Sequence, residues 1–120
     1  MNWREIYTQK ICSIEELLKG IKSGSVITTA VIPMTPQTFF ANLHRVPEDV
    51  RDLQVFTILN PNTYEFFFNK ENEGRFMNNC WFYGRGDRAA VESGLKTVSY
   101  VPNNSHQAIE IGRASCRERV

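Results

Sequence analysis

The chain has 120 residues, 42% of them hydrophobic and 22% charged, with 14 basic and 13 acidic side chains and a formal charge of +1. That balance gives no electrostatic case for a nucleic-acid partner or an anionic membrane surface. No stretch approaches the roughly 18 apolar residues of a membrane span, and the opening Met1–Tyr7 lacks the apolar segment of a secretory signal.

Ser13 followed by Glu16 has the spacing of a capping box, and Ile14, Leu17, Leu18 and Ile21 then repeat as one apolar helical stripe. Lys22-Ser23-Gly24-Ser25 should end that helix, with Gly24 in a left-handed turn. The β-branched run Val26 to Ile32 predicts a strand, and its lack of polar alternation predicts burial on both faces, as in a parallel sheet. A proline-bounded loop, Pro33 to Pro36, follows. A helix is expected over Pro36 to Arg45, with Phe39, Phe40 and Leu43 on one face. Pro47 to Asp52 reads as a polar connection, and Leu53 to Leu59 as a second strand stopped by Asn60-Pro61-Asn62. These pieces make a βαβ unit, whose crossover should be right-handed.

Tyr64 to Phe68 fits either a strand or a short helix with its aromatics turned inward, and Lys70 to Arg75 reads as exposed. Cys80 to Tyr83 suggests a strand or buried edge, Asp87 a cap for a short helix through Glu92 closed by Gly94, and Thr97 to Val101 a last strand ended by Pro102. The fold class expected is therefore α/β and Rossmann-like, with a mostly parallel sheet.

The end of the chain has a different character. Read back through the genetic code, Ile111 to Val120 resemble a common sequencing adapter translated in one frame, so residues 110–120 are expected to be a non-native tail. On that reading residues 1–109 are the N-terminal part of a truncated domain. Without Glu110, Arg113, Arg117, Glu118 and Arg119, eleven basic and eleven acidic residues remain and the net charge falls to zero.

Few motifs carry chemistry. Gly84-Arg85-Gly86-Asp87-Arg88-Ala89 matches the GxGxxG/A form of a dinucleotide loop, in which glycines let a pyrophosphate reach a helix N-terminus. The acidic ribose partner expected about 20 residues on is missing, because no acid lies between Glu92 and Glu110, which favours a structural strand-to-helix turn. His44 and His106 have no carboxylate or cysteine at ligand spacing, so no metal site is expected. Cys12 and Cys80, with Cys116 in the tail, show no CxxC spacing; free thiols, a reducing compartment and hence the cytoplasm are expected. Cys12 stands just before a helix N-terminus, but no histidine pairs with it, and a structural thiol is the better reading.

An ordered set of residues carries a resemblance. It comprises Trp3 and Tyr7 in the opening WxxIY, Glu15 and Glu16 before a helix ending Ile21-Lys22-Ser23-Gly24, and Val26 leading the first strand. Pro33 and Pro36 bracket the next loop, and Val55 lies in the second strand. Phe82-x-Gly84-x-x-x-Arg88 forms a turn, and Gly94 precedes Tyr100-Val101-Pro102. Over nearly all of residues 1–109 the chain resembles the N-terminal domain of the acetyl-CoA hydrolase/CoA-transferase family, particularly the 4-hydroxybutyrate and butyrate-type CoA-transferases.

The resemblance implies two α/β halves with an active site between them and ping-pong transfer of CoA from an acyl-CoA to a free short-chain carboxylate. A glutamate would attack the thioester and carry CoA as a glutamyl thioester. That nucleophile and its glycine-rich CoA loop would lie beyond Ile109, so no catalytic residue is assigned here, and the chain alone should not turn over. The expected partners are acyl-CoA and carboxylate substrates, the missing C-terminal half and, as a compatible arrangement, a second copy in a homodimer; no permanently bound cofactor is expected. Because ligands in open α/β sheets sit beyond the carboxyl ends of strands, Val31, Pro33, Met34 and Thr35 are candidates for the acyl-pocket wall. Arg88 is a candidate for a CoA phosphate, against a structural ion pair at the turn. The rival readings are an acetyl-CoA hydrolase of the same family and a non-catalytic nucleotide-binding or interaction domain.

Overall fold

The computed structural model describes residues 2–29 and 34–104. The proposed tail, His106, Cys116, Val31 and Pro33 lie outside these residues. The first helix, α1 (Trp3–Lys10), has no counterpart among the sequence expectations. Asn2 caps it by accepting the Arg4 N–H at 3.2 Å. Its apolar stripe, Trp3, Tyr7 and the following Ile11, stays 69%, 64% and 61% exposed, so burial within this chain does not hold the helix in place.

The capping box of α2 (Ile14–Lys19) is realised in both directions. Ser13 Oγ accepts the Glu16 N–H at 3.2 Å, while Glu16 Oε2 accepts the Ser13 N–H at 2.8 Å. Those bonds, the one to the Ser13 backbone foremost, hold the Glu16 carboxyl below its ordinary range. The helix is shorter than its apolar stripe and closes at Gly20, yet Ile21 still packs against the core beside Leu18. Gly24 takes φ +75° in the turn that follows.

β1 spans Val26–Thr28, shorter than the apolar run that signalled it. Pro36 stands at the N-cap of α3 (Gln37–Asn42), which tightens into a 3-10 turn at Leu43–Arg45. β2 covers Leu53–Thr57, and Tyr64 leads into α4 (Glu65–Phe68), so the aromatic run is a short helix. β3 is Phe76–Cys80, displaced toward the N-terminus from the expected Cys80 to Tyr83. Asn78 and Asn79 disguise it, being polar residues in the middle of a buried strand. α5 (Arg85–Glu92) has Gly84 at its N-cap, with Asp87 inside the first turn, and β4 is Val98–Tyr100.

The four strands pair in the order β1-β2-β3-β4, every pair parallel, which makes the domain Rossmann-like α/β. One face of the sheet, with Ile27, Leu53, Val55, Phe76 and Val98, forms a single core with Leu18 of α2, Phe40 of α3, Phe66 and Phe67 of α4 and Ala90 of α5. Phe66 sits at its centre, with ring centroids 5.0 to 5.8 Å from Phe67, Phe40 and Phe76. The expectation that β1 is buried on both faces is not met: Val26 and Thr28 are exposed, because the residues that cover the sheet gather on its other face.

Candidate functional site

Parallel strands all end on one edge, and here that edge is knit together by buried polar groups. Thr57 closes β2, Asn60 follows it, Asn78 lies within β3, and Asp87 reaches back from α5. Each is at most 2% exposed. Asp87 Oδ1 accepts from Asn60 Nδ2 at 2.9 Å and from Asn78 Nδ2 at 2.8 Å, while Oδ2 accepts the Gly84 N–H at 2.9 Å. Thr57 Oγ1 completes the circuit, donating to Asn78 Oδ1 and accepting from Asn60 Nδ2, both at 2.9 Å. Asp87 therefore caps α5 from inside its first turn. With no exposed surface it serves as a positioning residue and not as a base for a ligand.

The same edge explains the glycines. A Cβ on Gly84 would stand 2.0 Å from the Asn60 carbonyl oxygen, and one on Gly86 would stand 2.3 Å from that of Asn62. Both glycines are there so that the turn before α5 can touch the loop after β2. The GxGxxG-like spacing thus has a full packing explanation without a pyrophosphate, and a carboxylate already occupies the Gly84 N–H.

Outside this buried layer, Tyr83, Gly84, Arg85, Arg88, Ala89 and Glu92 line an open groove of about 530 Å³. Arg85 and Arg88 are exposed along it. Arg88 forms no ion pair among the described residues, where the ion pair present is Arg45–Glu15 at 3.3 Å. The Tyr83 ring lies 5.1 Å from that of Tyr100. Desolvation, followed by the charge of Asp87, raises the Tyr83 phenol above its ordinary value. Two guanidinium groups and a phenol, against the single carboxylate of Glu92, leave this groove with a net positive lining suited to an anionic group such as a phosphate.

The remaining candidates are more scattered. Met34 is 73% exposed and Thr35 half-buried, and neither lines the groove that holds Arg88. His44 is half-buried on the 3-10 turn, and no cluster of metal-binding side chains occurs among the described residues. No helix there is long and apolar enough to cross a membrane. Tyr83, Arg85, Asn60, Asn78 and Thr57 were not singled out from sequence. The one available signal for the network is the capping spacing of Gly84 and Asp87.

The two described cysteines are free and differ sharply. Cys12 is exposed. Cys80 is buried, and desolvation pushes its thiol up to about 11, with the Phe82 carbonyl 2.9 Å and Asp87 Oδ2 3.4 Å from its sulfur. Native protein treated with a maleimide at neutral pH should be modified at Cys12 and spared at Cys80 until it is unfolded, as peptide mass spectrometry would read. Equal labelling of both would contradict the packing of this edge.

No protein-family model and no curated protein sequence matches the chain. Solved structures do. The crystal structure of RipA from Yersinia pestis aligns with 90% of this chain at a TM-score of 0.70 and 27% identity. A point mutant of RipA aligns over the same share at a TM-score of 0.73 and 27% identity. This chain spans only about a quarter of those proteins, 27% and 26% of their respective lengths.

Proposed function

We propose that the chain is the N-terminal part of a CoA-transferase that moves CoA between a short-chain acyl-CoA and a carboxylate of the 4-hydroxybutyrate, butyrate or acetate type. The observation that carries this reading is the carboxyl edge of the sheet. Of the residues of the resemblance, Gly84 and Arg88 line an open groove there with Arg85 and Tyr83, and Tyr100 lies against the Tyr83 ring. A fragment also fits the comparison, since the chain aligns almost throughout yet spans about a quarter of the RipA proteins.

In this scheme a glutamate carboxylate from the later part of the protein attacks the thioester carbonyl and expels the CoA thiolate. The thiolate then attacks the glutamyl carbonyl of the resulting anhydride, releasing the acyl carboxylate and leaving glutamyl-CoA. The acceptor carboxylate reverses these steps. Water as acceptor would make the enzyme an acetyl-CoA hydrolase. In this scheme residues 1–109 contribute no nucleophile; their role is to hold the acyl-CoA, with Arg88 beside Arg85 for a phosphate and with Val31, Pro33, Met34 and Thr35 for the acyl group.

The test uses the product of the complete reading frame. Incubated with acyl-CoA and no acceptor, it should gain the mass of CoA less water on one glutamate, and added acetate should discharge that adduct as acetyl-CoA. Protein that forms no adduct and yields no new thioester sinks the proposal, and free CoA released at the same rate with and without acetate identifies a hydrolase. Arg88→Ala should raise KM for acyl-CoA roughly tenfold with kcat nearly unchanged, as expected for loss of one charged hydrogen bond made equally in ground and transition states. An unaltered KM would remove Arg88 from the site.

A further inference from the structure

Among the described residues, the helices and the core gather on one side of the sheet. In a parallel ladder, paired residues lie side by side and point to the same face. Val26, Gln54 and Met77 therefore form one row, and Thr28, Phe56, Asn79 and Ser99 the next, all on the face opposite the core. Val26 is 40% exposed and Thr28 is exposed, both on the edge strand; Gln54, Phe56, Met77 and Ser99 are only partly buried, and Asn79 is buried, donating to Gln54 Oε1 at 2.9 Å. None of them belongs to the core cluster that α2 to α5 share with the other face.

This is a consequence of the strand order. Each strand pairs with the next in sequence, and right-handed crossovers between successive neighbours place every connecting helix on the same side. All-parallel sheets, however, are almost always covered on both faces. The exposed face mixes valine, phenylalanine and methionine with short polar side chains, which suits an amphipathic helix better than water. The RipA proteins, which match this chain over 90% of its length, carry roughly three times as much further polypeptide, since it spans only 27% of such a protein.

We infer that the Val26–Phe56–Met77 face is the docking surface for helical polypeptide that follows residue 104 in the same, longer protein. That polypeptide presents an apolar stripe to β1, β2 and β3 and converts a half-covered sheet into a three-layer one. The exposed stripe of Trp3, Tyr7 and Ile11 on α1 is a second sign that this chain is one part of a larger packed unit. The inference is independent of the CoA reading, because it concerns a face of the sheet and not the chemistry at its edge.

Thiol labelling of the complete reading-frame product tests it without any need for activity. Val26→Cys and Met77→Cys are introduced singly in a Cys12→Ser background, and the labelling rate at each is compared between native and urea-unfolded protein. Cys80 reports in the same molecule whether the domain is folded. The expected result is at least roughly tenfold protection at both positions, unchanged on dilution. Native rates matching the unfolded ones while Cys80 stays protected would overturn the inference. So would protection that fades on dilution, which would assign the face to a second copy, or a reading frame that ends within the present chain. If either variant exposes Cys80, Thr28→Cys on the same face takes its place.

Discussion

Gly84→Ala is expected to destabilise the chain by roughly 3 kcal/mol, the upper end of the usual overpacking range. The new methyl would stand 2.0 Å from the Asn60 carbonyl oxygen and 2.7 Å from its carbon. Both atoms are backbone, so no side-chain rotation relieves the clash. The loop after β2 and the turn before α5 must separate, and separation pulls Asn60 Nδ2 away from Asp87 Oδ1. Against a total stability of about 5–15 kcal/mol for an ordinary domain, that loss is large. The contrast with Gly24→Ala is informative. Gly24 has nothing within 4 Å of its missing Cβ, and only its φ of +75° resists substitution, so its cost should be about 1 kcal/mol. Urea denaturation of the two variants beside the parent reads both values. A Gly84→Ala midpoint no lower than that of Gly24→Ala would show that the two loops do not touch as described.

The sequence made the apolar parts of this architecture legible and the polar parts obscure. β1, α3, β2 and β4 announce themselves through β-branched runs, a proline-led start and periodic aromatics, and all appear near their expected places. β3 was expected four residues too late, because a strand written Phe-Met-Asn-Asn-Cys offers no apolar alternation. Asn78 is tolerated there only because Thr57 and Asp87 satisfy its amide, and no single-strand pattern contains that long-range fact. α1 escapes the pattern for the opposite reason: Asn2 caps it, but its stripe of Trp3, Tyr7 and Ile11 stays exposed among the described residues, so no core contact marks it. At the edge of the sheet, the glycine spacing was visible while its cause was not. A phosphate and a neighbouring carbonyl make the same demand for a missing Cβ, and only the position of Asn60 distinguishes them.

Asp87→Ala should cost about 3–5 kcal/mol, the range for breaking up a buried charged network, and its effect should reach both loops of the sheet edge. The carboxylate is the shared acceptor for Asn60 Nδ2, Asn78 Nδ2 and the Gly84 N–H. Its removal leaves the amide of Asn78 and the backbone of Gly84 buried without those bonds, whereas Asn60 keeps its bond to Thr57. Asp87→Asn is the sharper probe. It preserves shape and retains one carbonyl oxygen, but it turns an NH2 toward groups that are themselves donors, so roughly half of the loss should persist. A double-mutant cycle with Asn78→Ala should then show coupling on the order of 1–3 kcal/mol, whereas a cycle with Ser13→Ala at the distant cap of α2 should be additive. Additivity with Asn78 would mean that the two side chains do not act as one unit. Strong coupling would establish that β2, β3 and α5 are joined by a single carboxylate, and that the groove above it owes its shape to a residue no ligand can touch.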